Sequence, residues 1–300
     1  MRFFIFYSVI YSIFDNKKEF KIICMKKRVF AYLHTHWDLE WYRDKQDFTL
    51  RLLEVFDIVL EELEKGKAPF FYFDGQVAAL LDYLKYRKEK KELVKKLISE
   101  NKLAIGPYFV SADSYLVNFI SMLKNLDIGM KISKEFNQKE FIGYLSDIFG
   151  ISNSVFQALK LKNIDKSLIW RGVNPEKINN NCNFIKDDIK TTWLAQGYFN
   201  DFLHNENIEG LKNYLDKILK YSNNNLLLPI GADHLNLLLL ICKNVPSNIA
   251  IEGNLFFHSK WKMEMLFLSK YPRINKNAVC QMMTSITVKK YNRKKTIKIY

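Results

Sequence analysis

The chain has 300 residues, 48% hydrophobic and 26% charged, enough for a sizeable core; disorder, collagen-like repeats and a disulfide scaffold are excluded. The formal net charge of +14 is carried by residues 1–30 and 251–300, while residues 31–250 are neutral, which excludes a polyanion-binding body. Cys24, Cys182, Cys242 and Cys280 lie far apart, without metal-ribbon or disulfide spacing, and predict a reducing, cytoplasmic setting.

In chain order, MRFFIFYSVIYSIF opens like a signal-peptide core, but no small-residue cleavage site follows and the run is too short to span a bilayer. Residues 1–24 therefore read as an upstream extension outside the fold, and Met25 as the start of the first strand. Strand-like apolar runs follow at Arg28–His34, Phe70–Phe73, Leu103–Ile105, Phe141–Leu145, Leu168–Trp170, Thr191–Ala195 and Leu226–Pro229. Between them, helical spacing of apolar residues predicts helices over Phe48–Lys65, Val77–Tyr86, Leu93–Ile98 and Gly210–Tyr221. Asn179–Asn183 and Asn223–Asn225 read as loops. Alternating β and α units without a linker predict one α/β domain over 25–250, with a βα barrel favoured over two doubly wound domains. Residues 251–300 read as the start of a helical region followed by an atypical basic tail.

The segment His34-Thr-His36-Trp-Asp38 carries the first chemistry. On an extended strand, alternate residues share a face, so two imidazoles and a carboxylate can converge as zinc ligands at a strand end. A histidine pair that packs or hydrogen-bonds is the competing reading. Asp74-Gly75-Gln76, Gly106 through Asp113 and Gly143 through Gly150 each place an acid after a later strand. Helix N-caps would explain Asp74 or Asp147 equally well, but together these acids describe a carboxylate-lined cup.

The strings HTHWDLEWY, FDGQVAALLDYL, LAIGPYFVSADSYLV, GYLSDIFGISNSVFQALK, IWRGV, LAQGYFN and LLLPIGADH, in this order from about residue 28 to residue 237, resemble the N-terminal catalytic domain of the bacterial glycoside hydrolase family 38 α-mannosidases. The resemblance implies a seven-stranded βα barrel of parallel strands, incomplete at its C-terminal side. It also implies a Zn²⁺ ion and hydrolysis of α-mannosides with retention of configuration. His36 and Asp38 match zinc ligands, and Asp113 matches the aspartate that is both ligand and nucleophile. Trp41 matches the aromatic floor of the mannose subsite, and Lys124 stands where the family usually has arginine, so Trp41, Asp38 and Lys124 are the expected sugar contacts. Asp201 lies where the acid/base is expected, with Asp147 as second choice. Further departures are Tyr108 for tryptophan and Ser114 for glutamate.

The family's last zinc ligand belongs to a downstream His-Asp motif that His204, His234 and His258 do not match, and the chain reads as a truncated member. Alongside an active mannosidase stands a non-catalytic carbohydrate-binding fragment. An amidohydrolase-type metal site would need histidines after the middle strands, yet none occurs between residues 37 and 203. A nucleic-acid-binding protein would use the basic tail around Lys289, Lys290 and Arg293, where no aromatic platform accompanies the charge. The expected partner is an α-mannoside, with neither nucleic acid nor membrane; the oligomeric state is not legible.

Overall fold

The computed structural model describes residues 6–13, 21–199, 208–221 and 225–234. The helical region and basic tail expected over 251–300 lie outside the described residues. The strands are β1 (Phe6–Ile13), β2 (Lys21–Thr35), β3 (Phe71–Phe73), β4 (Leu103–Ile105), β5 (Gly143–Leu145), β6 (Lys166–Ile169), β7 (Asn183–Lys186), β8 (Ile189–Trp193) and β9 (Asn225–Ile230). The helices are α1 (Lys45–Glu64), α2 (Ala78–Tyr86), α3 (Lys91–Ser99), α4 (Phe119–Glu135), α5 (Asn153–Leu161) and α6 (Ile208–Leu219). No described helix is long and apolar enough to cross a membrane.

Among the described residues, seven strands run parallel, in two sheets ordered β9-β2-β3-β4 and β5-β6-β8. These are the seven strands read from the sequence. Two antiparallel strands add to them. β1 pairs with the first half of β2, Phe6 opposite Arg28 through Ile13 opposite Lys21, so the boundary expected at Met25 falls inside β2. β7 forms a hairpin with β8 around Asp187 and Asp188, both at positive φ, the backbone of a tight type I′ turn.

Side chains alternate across these short strands. One face of the first sheet sends Leu33, Phe71, Phe73, Leu103 and Ile105 into the main core, where α1 packs. Helix α1 is capped by Asp44, whose carboxylate accepts from Asp47 N–H at 2.9 Å, and it buries Phe48, Leu52, Val55, Phe56, Val59 and Leu63 at helical spacing. Phe56 stacks on Phe73 with ring centroids 4.2 Å apart.

The opposite face of both sheets meets a second, smaller cluster of Tyr32, Tyr72, Ala104, Tyr144, Leu168, Leu194 and Tyr198. Tyr144 of the second sheet stacks on Tyr72 of the first at 4.4 Å, and its hydroxyl lies 3.1 Å from that of Tyr32. The two sheets therefore share one interior. Gly75 makes the approach possible: a Cβ there would lie 2.4 Å from the Tyr144 carbonyl oxygen.

Candidate active site

The cleft opens where the parallel strands end, which is where loops in α/β proteins collect functional side chains. It encloses about 350 Å³ and is lined by His36, Asp38, Gln76, Asp113, Asp147 and Phe149, with flanking loop residues. The structure thus brings together His36 and Asp38 after β2, Asp113 after β4 and Asp147 after β5, from three separate strand ends.

At the first strand end, His36 N–H donates to the Ala232 carbonyl at 3.3 Å and His234 N–H to the His36 carbonyl at 3.0 Å, tying the ends of β2 and β9. His36 Nδ1 lies 3.0 Å from Asp74 Oδ2, which turns Nε2 toward Asp38 at 3.5 Å and Asp147 at 3.7 Å. Burial works against a charge on this imidazole, but Asp74, with Asp38 and Asp147 beyond it, outweighs burial and holds its pKa well above the ordinary histidine value. Asp74 shows the mirror image: burial would raise it, and His36 brings it below the usual carboxylate range.

His34, the other histidine of the pattern, faces the interior. Its Nε2 lies 3.0 Å from the Tyr198 carbonyl, and burial pushes its pKa down to about 4, so the packing reading applies to it.

Asp74 does not cap a helix; the N-cap residue of α2 is Val77. Its buried carboxylate instead accepts from Trp37 N–H at 3.1 Å and Gly75 N–H at 2.7 Å while pairing with His36. A carboxylate behind a histidine fixes the ring's orientation and leaves the far nitrogen for a ligand. His234 supports the neighbouring loop: Asp38 N–H donates to its Nε2 at 3.1 Å, and its ring packs 4.3 Å from Phe48. Burial pushes the His234 pKa down to about 4, in keeping with a neutral acceptor.

Asp113 Oδ1 accepts from Phe149 N–H at 2.6 Å. The next residue, Ser114, donates to the Gly150 carbonyl at 2.7 Å and accepts from Ser152 N–H at 2.9 Å, anchoring the loop after β4 to the loop after β5. Asp147 is paired with Arg171, whose guanidinium lies 3.8 Å over the Trp170 ring and 4.1 Å over the Phe149 ring. Asp233, which sequence reasoning passed over, accepts from Tyr198 O–H at 2.6 Å, and burial raises its pKa.

Two expected sugar contacts lie outside the cleft lining. Trp41 is 63% exposed, beside Tyr42. Lys124 is exposed on α4; the adjacent Asn125 is the residue turned toward the loop after β4, accepting from Phe109 and Val110 N–H at 2.8 and 3.0 Å. One helical position, about 100° of rotation, separates the two directions. Asp201 lies outside the described residues.

The donors fit zinc in kind, imidazole nitrogen and carboxylate oxygen. The His36–Asp38 separation also matches the edge of a tetrahedron with bonds near 2.1 Å, about 3.4 Å. Among the described residues, no three or more His, Cys, Asp or Glu side chains form a ready-made cage.

Parallel strands ending in a carboxylate-lined cleft with one oriented imidazole define an α/β protein whose cleft has the composition of an enzyme site. The chain belongs to the glycosyl hydrolases family 38, N-terminal domain, whose family model matches residues 26–291. It is 37% identical over 158 residues to a Halalkalibacterium halodurans protein provisionally described as a mannosylglycerate hydrolase, covering 52% of this chain and 18% of that one. Among solved structures, it is similar to an α-mannosidase from Enterococcus faecalis, with TM-score 0.63, 31% identity, and coverage of 69% of this chain and 25% of that one. A second similar structure is a family 38 protein from Enterococcus faecalis, with TM-score 0.55, 25% identity, and coverage of 92% and 28%. The chain therefore spans less than a third of the length of each of these relatives.

Proposed function

We propose that the cleft is the glycone site of a zinc-dependent, retaining α-mannosidase. The observation that carries the reading is the convergence of His36, Asp38 and Asp113 on one cleft, with Asp74 turning His36 Nε2 into it. The names of the similar proteins point to mannose joined by an α-linkage, either in an oligosaccharide or to glycerate. The two sheets are, on this reading, arcs of one seven-stranded barrel, supported by their shared tyrosine interior. The scattered cysteines favour a cytoplasmic setting.

His36, Asp38 and Asp113 would hold the ion, which supplies positive charge to grip sugar hydroxyls and favour a distorted ring. Asp113 is the nucleophile: one carboxylate oxygen bonds to the anomeric carbon as the glycosidic C–O bond breaks, leaving a glycosyl ester that water then cleaves. The Phe149 N–H on Oδ1 orients this carboxylate. A second carboxylic acid protonates the departing oxygen and later removes a proton from water. Asp147 is engaged by Arg171, which favours Asp201 for that task.

The test is metal content together with turnover of an aryl α-mannoside by wild type and Asp113→Ala. Bound zinc with Asp113-dependent turnover and retained configuration is expected. Turnover that survives the substitution overturns the assignment of the nucleophile, and bound zinc without turnover gives the non-catalytic sugar-binding reading.

A further inference from the structure

Gln76 is buried, 5% exposed, and its side chain contacts two separate loops of the cleft wall as well as Asp74 behind it. Nε2 donates to the Trp37 carbonyl at 2.7 Å and to Asp74 Oδ2 at 3.0 Å, while Oε1 accepts from Ser111 N–H at 3.1 Å. Trp37 sits between His36 and Asp38, and Ser111 lies two residues before Asp113. One primary amide thus spans the loop carrying the imidazole and the loop carrying the nucleophile candidate.

The backbone places it there. Tyr108 N–H donates to the Gly75 carbonyl at 2.9 Å and Val77 N–H to the Tyr108 carbonyl at 3.0 Å, so the chain after β4 runs alongside the chain after β3. That pairing stops short of Ser111, and Asn125 holds only residues 109 and 110. Beyond them, among the described residues, the Gln76 amide is the hydrogen-bonded link from Ser111 to the His36 side of the cleft. An amide suits the position because it offers donors and an acceptor from one uncharged group, whereas a carboxylate here would face Asp74.

We propose that Gln76 is a positioning residue that sets the distance between the His36–Asp38 loop and Asp113. Its functional consequence rests on the mannosidase reading; the mechanical brace itself does not.

Gln76→Met keeps the volume and removes all three hydrogen bonds. Gln76→Asn keeps the amide but shortens its reach, and serves if the methionine variant fails to fold. Amide hydrogen exchange on the full chain reads the brace directly. Peptides containing Ser111 should exchange about tenfold faster in either variant, with α1 unchanged, because the loop opens locally and the fold does not. Wild-type exchange at Ser111 in a folded variant overturns the brace.

The second arm reads zinc affinity by chelator competition, and kcat and KM with an aryl α-mannoside. We expect zinc binding weaker by about 10- to 100-fold, and kcat lowered with KM little changed. Faster exchange with unaltered zinc affinity and kcat overturns the positioning role. If wild type neither holds zinc nor turns over, the mannosidase reading has failed, and the exchange arm alone decides the brace.

Discussion

Asp74 shows how much of the site depends on a group that never enters the cleft lining. Its buried carboxylate satisfies two backbone N–H groups and orients His36. Asp74→Ala should therefore destabilise the fold by about 2–4 kcal/mol, because Trp37 and Gly75 N–H would be left unpaired and the His36 ring unheld. Asp74→Asn should cost less stability but, on the proposed zinc reading, still lower zinc affinity by about tenfold. Urea denaturation and chelator competition check the two effects separately. That His36, Asp38 and Asp113 line one cleft was legible in the sequence, because residues after parallel strands collect at one end of the sheet; strand alternation put His34 with them, and it faces the interior instead. Asp74 was ambiguous, since an aspartate after a strand looks the same whether it caps a helix or orients a histidine 38 residues earlier. His234 and Gln76 act through contacts whose partners are distant in sequence, 196 residues away for Asp38 and His234, and no local pattern announces them.

At the level of elements, the seven parallel strands and the helices α1, α2, α3 and α6 followed from apolar spacing, while α4, α5 and the antiparallel strands β1 and β7 did not. The buried face of α4 is Met122, Leu126, Gly129 and Ser133, and two small residues interrupt the apolar stripe that would reveal it. Gly129 is there for contact: a Cβ would lie 2.2 Å from the Tyr108 carbonyl carbon and 2.3 Å from the Pro107 oxygen. Gly129→Ala, normally favourable in a helix interior, should instead destabilise by about 1–3 kcal/mol or more, because backbone cannot yield as a side-chain tip can. It should also disturb the loop leading to Asp113, so turnover should fall at temperatures where the variant is still folded. Phe56→Ala in α1 makes the contrast: a loss of about 3–5 kcal/mol through a cavity against Phe73, with the activity of the folded fraction preserved. Thermal melts paired with activity below the midpoint separate the two.

For the whole molecule, parallel strands and alternating helices identified the α/β class, whereas the sharing of strands between two sheets could not be read from periodicity. Pairing depends on which edges meet, and three-residue strands such as β3, β4 and β5 carry little register information. What joins the sheets is a set of tyrosines in the interior. Burial raises the pKa of Tyr32, Tyr72 and Tyr144, and the nearby Asp74 charge pushes each of them the same way. Since their folded pKa values lie above the unfolded value of about 10, the stability they contribute is complete below that pH and is lost as pH rises beyond it.

These buried phenols make the molecule its own optical indicator. Solvent-exposed phenols in general gain phenolate absorbance as soon as the pH is raised, whereas the interior phenols can ionise only when the sheets separate. An alkaline absorbance titration should therefore split into an immediate phase and a delayed one, the delayed phase coinciding with loss of circular dichroism. A single phase tracking the exposed residues alone would mean that the interior already admits hydroxide. Tyr144→Phe should diminish the delayed amplitude by about one phenol, reporting directly on the seam between the two sheets without any substrate or metal present.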